Sequence, residues 1–252
     1  MTQTPTSLIE SSHESTDLQI RSDLTAAHAR VWEKLAAPGT WWSGSERLAV
    51  AEVVRSALSD ADPVPPWDSA SKSGRLPNDS VLSSELQDAV YRLALHAGTL
   101  TEQWYQKMRD ATGVTPQQWV EIIEVTVIVT SVLRFAQLAG VDQPEFPEPL
   151  EGHPTRQTQP SKPANHHWVP VVHLEDSTPE LAPFYDGLPA LAPVIRALSS
   201  VPSAMDTLFT LGNAQYIPMR EMVDLNWTRG TLSRRQIELV AGRLSAHREC
   251  FY

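Results

Sequence analysis

The chain has little cysteine and little positive charge, and each shortage excludes a class of protein. One cysteine among 252 residues cannot form an intramolecular disulfide, which excludes a secreted fold held together by disulfides. The 20 lysines and arginines are outnumbered by 30 acidic residues, so the formal net charge is −10. A general nucleic-acid binder needs a basic face to displace counterions. Neither nucleic acid nor an anionic membrane surface is therefore an expected partner.

Long hydrophobic runs are also missing. The longest one, residues 122–133, contains Glu124 and is shorter than the roughly 20 residues that a membrane span requires. We interpret it as a core segment. Residues 1–19 are polar and lack the basic and then apolar pattern of a signal peptide, so the cytoplasm is the expected location.

The chain does contain a succession of helical patterns, and a proline-rich stretch interrupts them. Residues 1–20 are rich in Ser, Thr and Glu and predict a flexible tail, whereas residues 21–140 predict a first helical unit. Nine prolines fall within residues 142–183, so we expect an extended linker over 141–183. Residues 184–252 are expected to begin a second unit. The predicted fold class is all-α, with tandem helical units.

Apolar spacing and capping residues predict the individual helices. In the first unit they cover about residues 22–36, 45–58, 84–95, 101–112 and 116–139, and later ones lie near residues 190–199, 203–215 and 219–227. The stretch 116–139 poses a conflict, because its β-branched residues favour a strand. Its length and its start at Thr115-Pro116, an N-cap followed by proline, favour a helix.

A terminal helix is predicted to start at Ser233, since Ser233 and Gln236 form a capping-box pattern. Its apolar stripe consists of Ile237, Val240, Ala241 and Leu244. Glu238 lies on this helix, 12 residues before Cys250, and only two further residues follow the cysteine.

This C-terminal segment, residues 232–252, resembles the catalytic helix of the alkylhydroperoxidase D / carboxymuconolactone decarboxylase family. There a helical glutamate precedes a C-x-x-C motif and a histidine follows it. Glu238 and Cys250 have the family's spacing between the glutamate and the first cysteine. The second cysteine would directly follow Tyr252, and these 252 residues contain neither it nor the histidine after it. The resemblance implies an alkylhydroperoxidase D-like helical bundle with Cys250 and Glu238 as catalytic residues.

Residues 82–140 resemble one complete helical unit of the same family, with the turn 113–116 in place of its inter-helix glycine. The motif positions then fall on Gly98, Thr101 and Tyr105, none of which can do thiol chemistry. The resemblance therefore implies a degenerate first unit and a catalytic-type second unit that is incomplete.

The function that the resemblance implies is a thiol- or selenol-dependent peroxidase. In the family motif the second cysteine attacks the peroxide, and the first resolves the sulfenic acid as a disulfide. Only a thiolate is nucleophilic, so a carboxylate takes up its proton directly or through a relay. The implied partners are a small-molecule peroxide, a thiol reductant and further copies of the chain in a homo-oligomer. No cofactor or metal is expected, and the 252-residue chain is expected to be inactive as a peroxidase.

Several interpretations of the C-terminal segment stay open. Some family members resemble C-x-x-U proteins, in which selenocysteine replaces the second cysteine, and its UGA codon is normally taken for a stop. A chain ending at Tyr252 is what such a misreading produces, but a real truncation, a deliberately shortened chain or a natural short form would end in the same way. The alternative functions are a decarboxylase-like lyase, which acts on a small lactone acid without a C-x-x-C motif, and a non-catalytic scaffold.

The spacing of the two candidate residues also raises a geometric question. Along an unbroken helix, Glu238 and Cys250 would be about 18 Å apart, so contact requires a break in the helix or a second subunit. Glu238 is otherwise an exposed first-turn carboxylate, which the helix dipole favours. His247 lies one turn before Cys250 and is either a neighbour that acidifies the thiol or a surface histidine.

Overall fold

The computed structural model describes residues 19–186, 191–248 and 250. Within these residues the regular secondary structure is helical apart from one two-stranded hairpin, which confirms the prediction of an all-α fold. The first helices are α1 (Ser22–Glu33), α2 (Gly44–Ser59), α3 (Ser84–His96), α4 (Glu102–Thr112) and α5 (Pro116–Ala139). The short helices α6 (Ala182–Tyr185) and α7 (Pro193–Arg196) precede α8 (Pro202–Gln215), and the hairpin of β1 (Thr228–Arg229) and β2 (Leu232–Ser233) leads into α9 (Arg234–His247). The predicted N-terminal tail lies outside the described residues up to residue 18.

Helix α5 forms the centre of the core, and its start and end follow from capping residues. Thr115 and Gln118 form a capping box with Pro116 in the first turn, and Gly140 ends the helix with a φ of 68°. Its β-branched residues, which favour a strand, are instead buried on several sides by neighbouring helices. The helical prediction for this stretch is therefore confirmed.

By length and composition, α5 is also apolar enough to cross a membrane, with a mean hydropathy of 1.7 over its most apolar window. Half of that window is buried inside the protein. A buried core helix passes the same test, and the packing of α5 agrees with its interpretation as a core segment.

Four helices surround α5. Helices α1, α2 and α3, which precede it in the sequence, pack against it. Helix α8, which follows it, packs against both α1 and α5. The chain after the proline-rich stretch thus returns to the first helices. A smaller apolar cluster, which includes Val172, Leu181, Tyr185 and Met205, joins the end of that stretch to α8.

The proline-rich stretch has little regular structure, as predicted, but hydrogen bonds tie it to the helical core. Between residues 141 and 173 the structure has only an isolated bridge between Lys162 and Val171. The indole of Trp32 donates to the carbonyl of Glu145 at 2.9 Å, and its ring stacks on Phe146 with 5.1 Å between ring centroids.

Two predicted helices are wrong in extent. Residues 219–227 form only a 3-10 helix, Met219–Glu221, followed by a turn in which Asp224 accepts a hydrogen bond from the amide of Asn226. Asp and Asn favour such turns because their side chains compete with helical hydrogen bonds. The hairpin after this turn has Gly230 at a φ of 58° and was not predicted. The helix near 190–199 shortens to the single turn α7, and residue 190 lies outside the described residues.

Candidate functional site

The C-terminal helix α9 is held to the protein mainly through Arg234. Its guanidinium donates to the carbonyl oxygens of Glu221, Met222 and Asp224, at 3.3, 3.1 and 3.1 Å. The capping box of Ser233 and Gln236 is present as predicted. Because one arginine bonds three carbonyls of the preceding turn, the start of α9 is fixed in place.

Glu238 is bound by the same arginine, and we call Arg234, Glu238 and Tyr216 together the anchor of α9. Arg234 Nε donates to one carboxylate oxygen at 2.7 Å, and the hydroxyl of Tyr216 donates to the other at 2.5 Å. These two hydrogen bonds, from Tyr216 first and Arg234 second, lower the pKa of Glu238. Burial and the hydrogen bond to Glu238 raise the pKa of Tyr216 to about 12. Glu238 is therefore stably ionised, and its lowered pKa makes it a weaker base than a free carboxylate.

Cys250 lies three residues beyond the last residue of α9 and is exposed. Its backbone amide donates to the carbonyl of Ser245 at 2.9 Å, which folds the chain back over the helix end. Within the described part of the chain, no side chain hydrogen-bonds the thiol. His247, the residue proposed to acidify it, is on the exposed surface of the last turn.

The structure does not bring Glu238 and Cys250 together. Helix α9 is continuous from Arg234 to His247, and Glu238 lies in its second turn. The separation of nine residues from Glu238 to His247 alone corresponds to about 14 Å along the helix axis. The helix is unbroken as far as His247, and the chain that folds back after it returns only to Ser245. A contact between Glu238 and Cys250 would therefore require a second copy of the chain.

The end of α9 lies against the junction of α3 and α4. The carbonyl oxygen of Arg248 is 3.6 Å from the position that a Cβ atom would occupy on Gly98. Gly98 belongs to the 3-10 helix Ala97–Thr99 and is one of the degenerate motif positions of the first unit. The segment that carries Cys250 thus lies beside the part of the first unit that the resemblance singled out.

A second cluster of ionisable side chains lies inside the core, and sequence reasoning missed most of it. Arg47 of α2 donates to Glu121 at 2.7 Å and to Glu124 at 3.4 Å, and all three side chains are buried. Lys34 is 3.4 Å from Glu124, which also accepts a hydrogen bond from Thr207 of α8 at 2.7 Å. This cluster, which we call the buried ion cluster, connects α2, α5 and α8.

Each charge in the buried ion cluster depends on its partners. Burial raises the pKa of Glu121, which Arg47 only partly offsets. Burial also acts against ionisation of Glu124, but Arg47 and Lys34 outweigh it and lower its pKa. The two carboxylates likewise outweigh the burial of Arg47 and raise its pKa. Each charge in the cluster is paired with an opposite charge, so the removal of any one partner would leave an uncompensated buried charge.

One sequence signal pointed to the buried ion cluster. Glu124 interrupts the longest apolar run, and a charged residue inside a core helix requires a buried partner. Glu121 lies one turn before it, at a spacing that puts both carboxylates on one face of α5. The partners Arg47 and Lys34 are distant in sequence, so the pattern identifies one half of the cluster only.

Among residues 19–186, 191–248 and 250, no group of three or more His, Cys, Asp or Glu side chains is arranged to hold a metal ion. No protein-family model matches the chain, and no curated protein or solved structure matches it. The resemblance to the alkylhydroperoxidase D family therefore stays a prediction that rests on two stretches of the sequence.

Proposed function

We propose that this chain contributes the resolving thiol, Cys250, to a thiol- or selenol-dependent peroxidase of the alkylhydroperoxidase D type. The observation that carries the proposal is the position of Cys250. It is exposed, it lies just beyond a helix end, and its sulfur is free of a disulfide. A resolving thiol needs this freedom, because it must approach an oxidised sulfur or selenium from outside.

The chemistry of the proposed step is balanced. A peroxidatic thiol or selenol, which would follow Tyr252, reduces the peroxide and becomes a sulfenic or selenenic acid. The thiolate of Cys250 then attacks that sulfur or selenium, forms the S–S or S–Se bond and displaces hydroxide, which leaves as water after protonation. Two equivalents of a thiol reductant cleave the bond and restore both groups.

Glu238 has a different role in this proposal from the one that the resemblance implies. Because Tyr216 and Arg234 occupy its carboxylate, Glu238 positions α9 instead of accepting the proton of Cys250 in the same chain. The proton of the resolving thiol then passes to solvent, which reaches the exposed Cys250.

The test adds one cysteine directly after Tyr252, which completes a C-x-x-C motif. Peroxide treatment should convert this variant into an intramolecular disulfide, detected by mass spectrometry as the loss of two hydrogens and reversed by a dithiol. The matched control carries the same added cysteine together with Cys250→Ser and should instead accumulate sulfinic acid. If sulfenic acid is trapped in both variants and no disulfide forms in the first, Cys250 is not a resolving thiol.

The gene itself provides an independent measurement at the codon after Tyr252. A UGA followed by an open frame with a histidine codon about four positions later would support a selenol peroxidase. Peroxide turnover with a dithiol reductant, measured on the product of that open frame, should then depend on Cys250. Turnover that survives Cys250→Ser unchanged would contradict the resolving role.

We also propose that a second copy of the chain covers the exposed side of α9. Leu239, Val240 and Leu244 are 68%, 70% and 60% exposed, and no residue of α9 is buried. Val240 and Leu244 lie one turn apart on the same face of α9, and an exposed apolar face is typical of a surface that is covered in an assembly. A second copy would also supply the only proposed route by which Glu238 could approach Cys250.

Sedimentation velocity tests this association. The wild-type chain should sediment as an oligomer, and Val240→Glu should shift it toward the monomer. Leu138→Glu is the matched control, because Leu138 is 87% exposed at the end of α5, outside α9. A concentration-independent wild-type monomer would rule out the homo-oligomer.

A non-catalytic scaffold is the second candidate function, and the commitment of Glu238 to Tyr216 and Arg234 favours it. An ordinary stop codon after Tyr252, together with no disulfide in the added-cysteine variant, would select the scaffold over the peroxidase.

A further inference from the structure

A cleft separate from Cys250 lies between helices α3 and α4 and the loop that precedes α3. Its volume is about 300 Å³, which is at the lower end of the range for small-molecule sites. Apolar side chains of both helices, Ala89, Met108 and Ala111, line it. Trp67 from the loop and Trp104 from α4 also line it.

The loop side of this cleft is held in place by hydrogen bonds to α3. Asp88 accepts three of them from Ser69 and Ser71, at 2.7 to 2.9 Å. The ring of His96 bonds the carbonyl of Val64 at 2.9 Å, on the other side of the loop. Because both ends of the loop wall are tied to the helix, the cleft exists before any ligand enters it.

Trp67 is the unusual residue of this wall. Its side chain is 84% exposed, although it is a large apolar group, and it follows two consecutive prolines that restrict the backbone. A tryptophan that is exposed at the rim of a cleft has a ring that a ligand can reach. Trp104, on the opposite side, already carries the guanidinium of Arg92 over its ring, 5.1 Å from the centroid.

The charges around the cleft are mainly negative. Asp68, Glu85 and Asp88 contribute three carboxylates, against the single guanidinium of Arg92. The oxygens of Asp88 are occupied by the loop, and Arg92 is occupied by Thr99 and by the ring of Trp104. Asp68 and Glu85 are exposed, and their hydrogen bonds are local, to Ser69 and to Ser84. Hydrogen bonds from its own backbone and from Ser84, together with the charge of Lys72, lower the pKa of Glu85, which therefore stays ionised. The groups left to meet a ligand are thus two carboxylates and an aromatic ring.

We propose that this cleft binds a small organic cation, an ammonium group on a flat apolar body. The ammonium would lie between Trp67 and the carboxylates of Asp68 and Glu85, and the apolar body would cover Ala89 and Met108. Aromatic faces attract cations through the ring quadrupole, and the neighbouring carboxylates add Coulomb attraction. An anion of the same shape meets repulsion from the same carboxylates.

Three probes of one shape and different charge test the proposal by calorimetric titration of the full chain. Benzylammonium should bind saturably and about tenfold more tightly than neutral benzyl alcohol, and benzoate should bind more weakly than both. Equal affinities for benzylammonium and benzyl alcohol would overturn the proposal, since charge would then not be recognised. No saturable binding of benzylammonium would overturn it as well.

Variants locate the site. Trp67→Ala and Glu85→Gln should each weaken benzylammonium about fivefold, and Trp67→Phe should retain most of the affinity because it keeps an aromatic face. Both positions are exposed, so these changes leave the fold intact. Glu102→Gln is the charge control, because Glu102 is exposed on α4 and lies outside the cleft lining. If Glu102→Gln weakens binding as much as Glu85→Gln, the attraction comes from net charge and the site is refuted.

Discussion

The buried ion cluster and the anchor of α9 use the same pair of residue types, arginine with glutamate, in opposite surroundings. Arg47 and Glu121 are fully buried at 2.7 Å, whereas Arg234 and Glu238 have the same separation in a pair that is partly exposed. The side chain of Glu238 is 43% exposed, and that of Glu121 is 0% exposed. A buried pair is costly to separate because the remaining charge is left without water, and an exposed pair is not.

This difference in burial indicates which part of the molecule unfolds as one unit. The core around α5 combines buried charge pairs with apolar neighbours on several sides, so its disruption affects the whole fold. Helix α9 has no buried residue and depends on a few hydrogen bonds at its first turn. We therefore expect core substitutions to lower global stability and α9 substitutions to act locally.

The largest expected effect is that of Arg47→Met. It leaves Glu121 and Glu124 buried, with only Lys34 as a cationic neighbour of Glu124, and should lower the free energy of unfolding by about 3–5 kcal/mol. Urea denaturation measures the loss. The loss relative to wild type should shrink in acid, because the abandoned carboxylates can then take up protons.

Two matched variants show whether burial causes this effect. Arg47→Met combined with Glu121→Gln should recover part of the stability, since one of the unpaired charges is removed. Arg30→Met removes an arginine that is 62% exposed and bonds Asp206 at 2.8 Å, so it should cost about 1 kcal/mol or less. Equal losses for Arg47→Met and Arg30→Met would contradict the comparison.

The next largest effect is expected where the backbone approaches the buried ion cluster. A Cβ atom on Gly39 would lie 1.8 Å from Oε1 of Glu121, so Gly39→Ala should cost about 1–3 kcal/mol through overpacking. Gly242 in α9 has nothing within 4 Å of the same position, and Gly242→Ala should instead stabilise the helix by about 0.5–1 kcal/mol. Thermal denaturation measures both changes in stability. A loss of stability in both variants, or a gain in both, would contradict the difference between the core and α9.

The sequence predicted the helices better than their polar contacts, for physical reasons. Capping at Thr115 and Ser233 is local, so the N-cap at Thr115 and the capping box of Ser233 with Gln236 were both predicted from neighbouring residues. Apolar spacing is local as well. The partners of Glu124, in contrast, come from α8 and from the residues around α1 and α2, and no short-range pattern encodes them.

The candidate site shows the same limit. The sequence could show that Glu238 and Cys250 are too far apart on one helix. The sequence could not show that the hydroxyl of Tyr216 donates to Glu238. Tyr216 directly follows α8, and the hairpin separates it from α9 in the sequence. The two predicted helices that are wrong in extent have a different cause, because short segments near Pro193 and Asp224 are decided by turn residues rather than by periodicity.

A smaller effect is expected from Arg234→Met, because it frees α9 without disturbing the core. The loss of its hydrogen bonds to three carbonyls and to Glu238 should cost about 1 kcal/mol, which is about a fivefold increase in local opening. Hydrogen exchange should accelerate in residues 234–247 and stay unchanged in residues 116–139. Equal acceleration in both helices would mean that α9 and the core unfold together.

The smallest expected effect is a shift in the titration of Tyr216. Its pKa of about 12 in the folded protein lies above the value of about 10 in unfolded chains. The hydrogen bond to Glu238 therefore contributes stability that is fully present below about pH 10 and is lost as the pH rises through about 12. Tyrosinate absorbance during an alkaline titration follows this group directly.

In that titration, Glu238→Gln distinguishes Tyr216, in the anchor of α9, from the tyrosines elsewhere in the protein. Removal of the carboxylate charge should bring the pKa of Tyr216 back toward its ordinary value. The pKa of Tyr91, which burial and the hydrogen bond to Asp60 raise to about 12, should be unaffected. Burial also raises the pKa values of Tyr105 and Tyr185. Tyr91→Phe and Tyr216→Phe are therefore needed to identify the transitions of Tyr91 and Tyr216 by removing one each. A titration of Glu238→Gln that matches wild type would mean that the hydrogen bond between Tyr216 and Glu238 does not persist in solution. The start of α9 would then depend on Arg234 alone.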